Sequence, residues 1–310
     1  MHRYLYIYPN HVFNGEVALH ELEPLQGSDV SRAVVFAGKV NGPFRTVIGA
    51  VCYLYLETTS VLDASSVYKN LRLYENLLCL VSGKPSDPGQ SIDITNNSDF
   101  DAIIAEYLAE GQDHNKPDIQ HHGMVREHNV LDKLPACVTL LNNMDTSSRT
   151  KAERALSTFI ISEEIGRTVN PHTKATVRAS LYLSAINQLA ENPEICTHVI
   201  GECPVCQKHN VQHQKTSHVK KIEELMRELF TGNNLDNGIN LIKHGYYSVR
   251  SPFLHDGILS GGENEGGWIA DDPANLQFEE NLINYMNTCR QLILLFIQKY
   301  GTTTSIPESS

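Results

Sequence analysis

Arg250 and His255 stand five residues apart in Gly245-Tyr-Tyr-Ser-Val-Arg-Ser-Pro-Phe-Leu-His-Asp-Gly257, and their side chains suit work on a phosphodiester. A guanidinium is a planar fork of donors that matches phosphoryl oxygens, and an imidazole can take up or release a proton near neutral pH. The neighbours add to this reading. Pro252 suits the first position of a helix and Ser251 its N-cap, so the local sequence predicts a helix beginning there. Arg250 would then lie just outside the helix and His255 in its first turn. A helix start presents unpaired backbone N–H groups and the positive end of a dipole, and both favour an anion. The same spacing also occurs in ordinary helical proteins, with the histidine capped or half-buried and the arginine in a surface ion pair.

A second cluster lies upstream. Cys203 and Cys206 have the C-x2-C spacing that lets two thiolates from one tight turn grip a zinc ion, and Cys196, His209 or His213 could complete the tetrahedron. The alternatives are two ordinary buried thiols or a redox pair, and the latter lacks a surrounding βαβ pattern. The same region holds Lys208, Lys215, Lys220 and Lys221 with His209, His213 and His218, and no acid between Glu202 and Glu223. That run reads as a local positive patch, with Lys220, Lys221 and Ser251 the expected substrate contacts. A solvated face is its plainer meaning.

The elements that must position these residues divide the chain in two. With 310 residues, 41% of them hydrophobic, there is apolar material for two cores. Residues 1–145 read as a mixed α/β domain, 146–301 as an all-α bundle with a cysteine-rich insertion at about 194–216, and 302–310 as a disordered tail, an α+β arrangement. The formal charge of −11 and a pI near 5.7 disfavour indiscriminate nucleic-acid binding, so any such contact must be local. The first residues lack the apolar core of a secretory signal, and no apolar run approaches a membrane span. The expectation is a cytoplasmic protein with reduced thiols and no membrane contact.

In the first half, Tyr4–Tyr8, Ala33–Ala37 and Val47–Leu56 carry strand signals, with a turn at Asn41-Gly-Pro43. Residues 64–81 repeat apolar side chains at helical spacing. Gly83 to Gly89 breaks the chain, Ser91–Thr95 alternates like a short strand, and Ser98 could cap a helix over about 99–109. Gly111 to Asp132 is polar and reads as a loop in which His114, His121, His122 and His128 are solvated. No catalytic signature is legible in this half. In the second half, helical stripes run over about 149–168 and 172–190, suggesting an antiparallel hairpin. Others follow over 218–230, from Leu235 into the Arg250 segment, and over 275–300, after a glycine-rich acidic loop holding Trp268.

The order of these helices, together with Tyr246-Tyr-Ser-Val-Arg-Ser-Pro-Phe-Leu-His-Asp-Gly257, resembles a HEPN domain, and within that family the ApeA-like branch. The likeness covers about residues 149–300 and rests on the R-x4–6-H signature. After the arginine the family often has a different polar residue where this chain has Ser251, and Asp256 separates His255 from Gly257. The resemblance implies a metal-independent endoribonuclease working as a homodimer, with Arg250 and His255 the catalytic residues that carry over. It further implies an effector of anti-phage abortive infection or a toxin, whose N-terminal domain senses a trigger or a regulatory partner. The alternative is a non-catalytic HEPN-type module that binds RNA, nucleotide or a protein partner.

Overall fold

Three neighbouring strands are buried at consecutive positions through their centres: Tyr4, Leu5 and Tyr6, with Tyr8 beyond, then Ala33 to Ala37, then Cys52 to Leu56. Successive strand side chains point to opposite faces, so this sheet is covered on both sides and its strands need no polar alternation. The computed structural model describes residues 1–14, 19–39, 50–61, 65–83, 90–95, 101–102, 125–127, 129–168, 174–192, 195–196, 213–214, 216–231, 235–256 and 273–302. It divides into one unit of Met1–Asp145 with Tyr300–Ser310 and a second of Thr146–Lys299, an α+β chain.

The first unit is built on β1 (His2–Asn14), β2 (Leu19–Leu22), β3 (Val30–Lys39), β4 (Ala50–Thr58), β5 (Gln90–Asp93) and β6 (Val125–Glu127). The order is β2-β3-β4-β1-β5, antiparallel along that path, with β6 parallel to β1. One edge of β1 is shared: β5 takes Tyr4 to Ile7, and β6 takes Val12 to Asn14. Between these stretches, pairing with β4 shifts from Tyr8 to Val12, an irregularity that re-aims the strand. Helix α1 (Ser65–Ser82) packs with α2 (Asn129–Asn143) and ties to the sheet through Tyr8, whose hydroxyl donates to Glu75 Oε1 at 3.1 Å. Burial first, and then the Glu75 charge, pushes the Tyr8 phenol well above its ordinary pKa and keeps it a donor.

The strands over 4–8 and 33–37 and helix 64–81 are where the sequence puts them. A loop running to Asp132 is not: α2 starts at Asn129 and β6 precedes it. The turn at 41–43, the break at 84–89, most of helix 99–109, the four loop histidines, Trp268 and the tail from 303 lie outside the described residues.

In the second unit, α3 (Thr146–Thr168) and α4 (Ala175–Leu189) form the antiparallel hairpin. Partners rise along one helix as they fall along the other: Lys151 pairs with Glu191, Thr158 with Gln188, and Ser162 with Arg178. Next come β7 (Ile195–Cys196), antiparallel to β8 (His213–Gln214), and α5 (His218–Leu229), whose Ser217 cap accepts from Lys220 N at 3.2 Å. Val219, Ile222, Leu225, Met226 and Leu229 form one buried stripe on α5. At roughly 1.5–3 kcal/mol per buried apolar side chain, that stripe rather than propensity holds a helix of this length. Then follow α6 (Leu235–Gly245), a π-helical turn at Tyr246–Arg250, α7 (Ser251–Asp256) and the long α8 (Pro273–Thr302). Among the described residues no helix is long and apolar enough to cross a membrane.

Candidate functional site

Arg250 and His255 lie on one continuous helical run from Leu235 to Asp256, so the expected helix start at Ser251 does not exist. Ser251 has φ −66° and ψ −49°, helical rather than N-cap values, and its N–H donates to Tyr246 O. The physical reason is Pro252. Proline lacks the N–H that would bond four residues back, and its ring clashes with that carbonyl, a conflict that ordinarily kinks or ends a helix. Here the preceding turn widens to i→i+5 bonding, and the helix passes through. With the Ser251 N–H already used, this segment offers no free helix N-terminus to an anion.

The widened turn sets the arginine. Its Nε donates to Ser184 Oγ of α4 at 3.0 Å, and its Cζ stands 4.6 Å from the centroid of the Tyr246 ring. Its terminal nitrogens have no hydrogen-bond partner among the described residues. His255 is exposed, as are Leu254 and Asp256, while Ser251 and Pro252 are half-exposed. A guanidinium held at its Nε edge can meet a phosphodiester with two donors, and an exposed imidazole can move a proton.

Close approach of this run to α8 requires a glycine. A Cβ on Gly245 would lie 2.7 Å from Tyr285 Cζ and 2.8 Å from its Oη, and Tyr285 is fully buried. Burial pushes the Tyr285 phenol up to about 12. The ring has nowhere to swing, so overpacking at about 1–3 kcal/mol outweighs the gain of up to about 1 kcal/mol that alanine brings to a helix. Gly245→Ala should therefore destabilise the chain by about 1–2 kcal/mol in chemical denaturation. An unchanged or raised midpoint would show that the two helices can part at no cost.

Of the positive patch, Lys208, Lys215 and His209 lie outside the described residues. Lys220 is exposed, but Lys221 Nζ is 3.0 Å from Glu224 Oε2, and Lys299 Nζ is 2.6 Å from Glu228 Oε1. Glu223 takes Lys243 at 2.6 Å and Arg227 at 3.1 Å, and Arg227 also reaches Asp236. Hydrogen bonds from Lys243 and then Arg227 hold the Glu223 carboxyl below the usual range. One turn of α5 thus brings Glu224 beside Lys221, while Glu223 and Glu228 of the same helix pair with cations that follow them in sequence.

The ribbon β7–β8 sets Cys196 opposite His213. Cys203, Cys206 and His209 lie outside the described residues, and so does the side chain of Cys196. The other four cysteines, Cys52, Cys79, Cys137 and Cys289, are buried and form no disulfide, with Cys137 pushed up to about 11 by burial. Among the described residues no group of three His, Cys, Asp or Glu side chains could hold a metal ion.

What sequence reasoning missed here is Ser184, a serine on a mostly apolar helix 66 residues from Arg250, with no local mark of its role. No protein-family model matches the chain, and no match was found among the curated proteins or the solved structures.

Proposed function

We propose that the chain is a metal-independent endoribonuclease of the HEPN class, acting in the cytoplasm as a homodimer and serving as an effector of anti-phage abortive infection or as a toxin. The observation that supports this reading is the Arg250 guanidinium, anchored through Nε with its terminal nitrogens unengaged among the described residues, on the same run as the exposed His255. In the reaction, a ribose 2′-oxygen attacks the adjacent phosphorus, the 5′-oxygen leaves, and a 2′,3′-cyclic phosphate remains. One imidazole takes the 2′-hydroxyl proton, and that of a second copy supplies one to the leaving oxygen. Arg250 stabilises charge on the phosphoryl oxygens.

Tyr247 and Leu254, on either side of Arg250 along the run, are 59% and 52% exposed, and a second copy would meet the chain there. The first unit would sense a trigger or bind a regulatory partner. The test is incubation of the purified chain with single-stranded RNA in buffer without added divalent ions, alongside Arg250 and His255 variants. Cleavage with cyclic-phosphate ends is the expected result, and intact RNA would remove the proposal. Binding without cleavage, surviving His255→Ala but lost when Lys220 and Lys221 are neutralised, would favour the non-catalytic module instead.

Zinc belongs to the proposal as a structural ion. With four cysteines buried elsewhere, Cys196, Cys203 and Cys206 remain as thiolate ligands, and His209 or His213 as the fourth; the cross-strand pairing of Cys196 and His213 favours the latter. Metal analysis should find about one zinc per chain. Thiol alkylation should be slow until a chelator strips the ion, and then label three cysteines and spare the buried four. Rapid labelling of all three before chelation would exclude zinc.

A further inference from the structure

We infer that Ser184 is a positioning residue for the Arg250 guanidinium, an assignment that rests on the ribonuclease reading. Arg250 sits in a two-sided clamp. Ser184 Oγ accepts from Nε at 3.0 Å, and the Tyr246 ring lies beneath Cζ at 4.6 Å. Ser184 is itself oriented, because its hydroxyl donates to Ser180 O one turn back on α4 at 2.7 Å. A hydroxyl has one proton, and this one is committed to the helix backbone, so its lone pairs face the arginine.

The consequence is directional. An arginine held at Nε and stacked on one face cannot rotate its fork freely, and its two terminal nitrogens form the edge left for bidentate contact with a phosphate. The hydrogen bond spans two helices, α4 and the π turn, and Tyr246 and Arg250, four residues apart, stack within that turn. Without the serine, the guanidinium keeps its charge and its ring but loses the restraint on its rotation. Such a loss acts on the transition state, where phosphoryl charge develops, more than on ground-state binding.

Ser184→Ala and Ser184→Thr in the full chain test this, read as kcat and KM on a single-stranded RNA with thermal melting alongside. Alanine should lower kcat about tenfold, the usual scale for one hydrogen bond to a charged group, with KM within about twofold. Threonine, which keeps an acceptor oxygen at that position, should restore most of the rate. In an Arg250→Lys background, which has no Nε, Ser184→Ala should change nothing further. Wild-type kcat in Ser184→Ala while Arg250→Ala is inactive would overturn the assignment and leave the ribonuclease reading standing. Full cleavage by Arg250→Ala would sink both. A parallel loss of kcat and melting temperature without threonine rescue would also overturn it, by showing that the serine only packs.

Discussion

The His255→Ala chain should cut RNA about 10²- to 10⁴-fold more slowly than wild type, the range that a positioned general acid or base supplies. Its fold should be unaffected, because His255 is exposed and surface substitutions away from special features shift stability within about 0.5 kcal/mol. Loss of activity can therefore be read as loss of chemistry. Arg250→Ala should fall about 10²- to 10³-fold by analogy with removal of a donor aimed at developing charge, but it also empties the clamp formed by Ser184 and Tyr246. Arg250→Lys separates the two effects, since lysine keeps the charge and loses the planar fork. If the fork matters, lysine stays at least about tenfold below wild type at unchanged melting temperature. Single-turnover rates on one RNA oligomer measure all three variants. Wild-type cleavage by His255→Ala would take this residue out of the mechanism, whatever the arginine does.

How legible the fold was follows from which signals are local. The apolar stripes of α5 and α8 and the aromatic, β-branched runs of β1 and β3 are periodic, and period survives without tertiary information. Helix α2 was lost to the polar segment before it and to Pro135 within it, although Leu131, Leu134, Val138 and Leu141 recur at helical steps and are all buried. The second unit's motif shows the opposite failure. Ser-Pro is a sound helix-start signal, yet α6 arrives already helical, and packing of α4 against the turn outweighs the proline by widening one turn instead of ending the helix. The type and spacing of Arg250 and His255 were readable, but the device that aims the arginine was not. It depends on Ser184, which only folding brings into reach. The pairing of Lys221 with Glu224, one turn along α5, likewise becomes visible only once the helix is formed.

The α3–α4 hairpin that carries Ser184 contains a buried polar centre, and breaking it should cost the most stability of any single side-chain change considered. Glu163 and Tyr182 are both buried; the Tyr182 hydroxyl donates to Glu163 Oε1, and Arg178 Nη2 donates to that hydroxyl at 3.0 Å. Arg178 Nη2 is also 3.9 Å from Glu163 Oε1, while its Nε donates to Ser162 O at 3.3 Å. Burial, then the Glu163 charge, pushes the Tyr182 phenol well above its ordinary value, so it remains protonated and can serve as a donor. Replacing Glu163 with alanine leaves a poorly solvated guanidinium without its carboxylate, a situation that typically costs about 3–5 kcal/mol. Tyr182→Phe keeps the ring against Phe159, at 5.7 Å between centroids, and removes only the hydroxyl, for about 1–3 kcal/mol. Because the two groups share one hydrogen bond, the double variant should cost less than the sum of the singles by about 1 kcal/mol or more. Denaturant midpoints of the four chains give the cycle. A Glu163→Ala cost below about 1 kcal/mol would mean that water reaches the pair and that this centre does not hold the hairpin beneath Arg250.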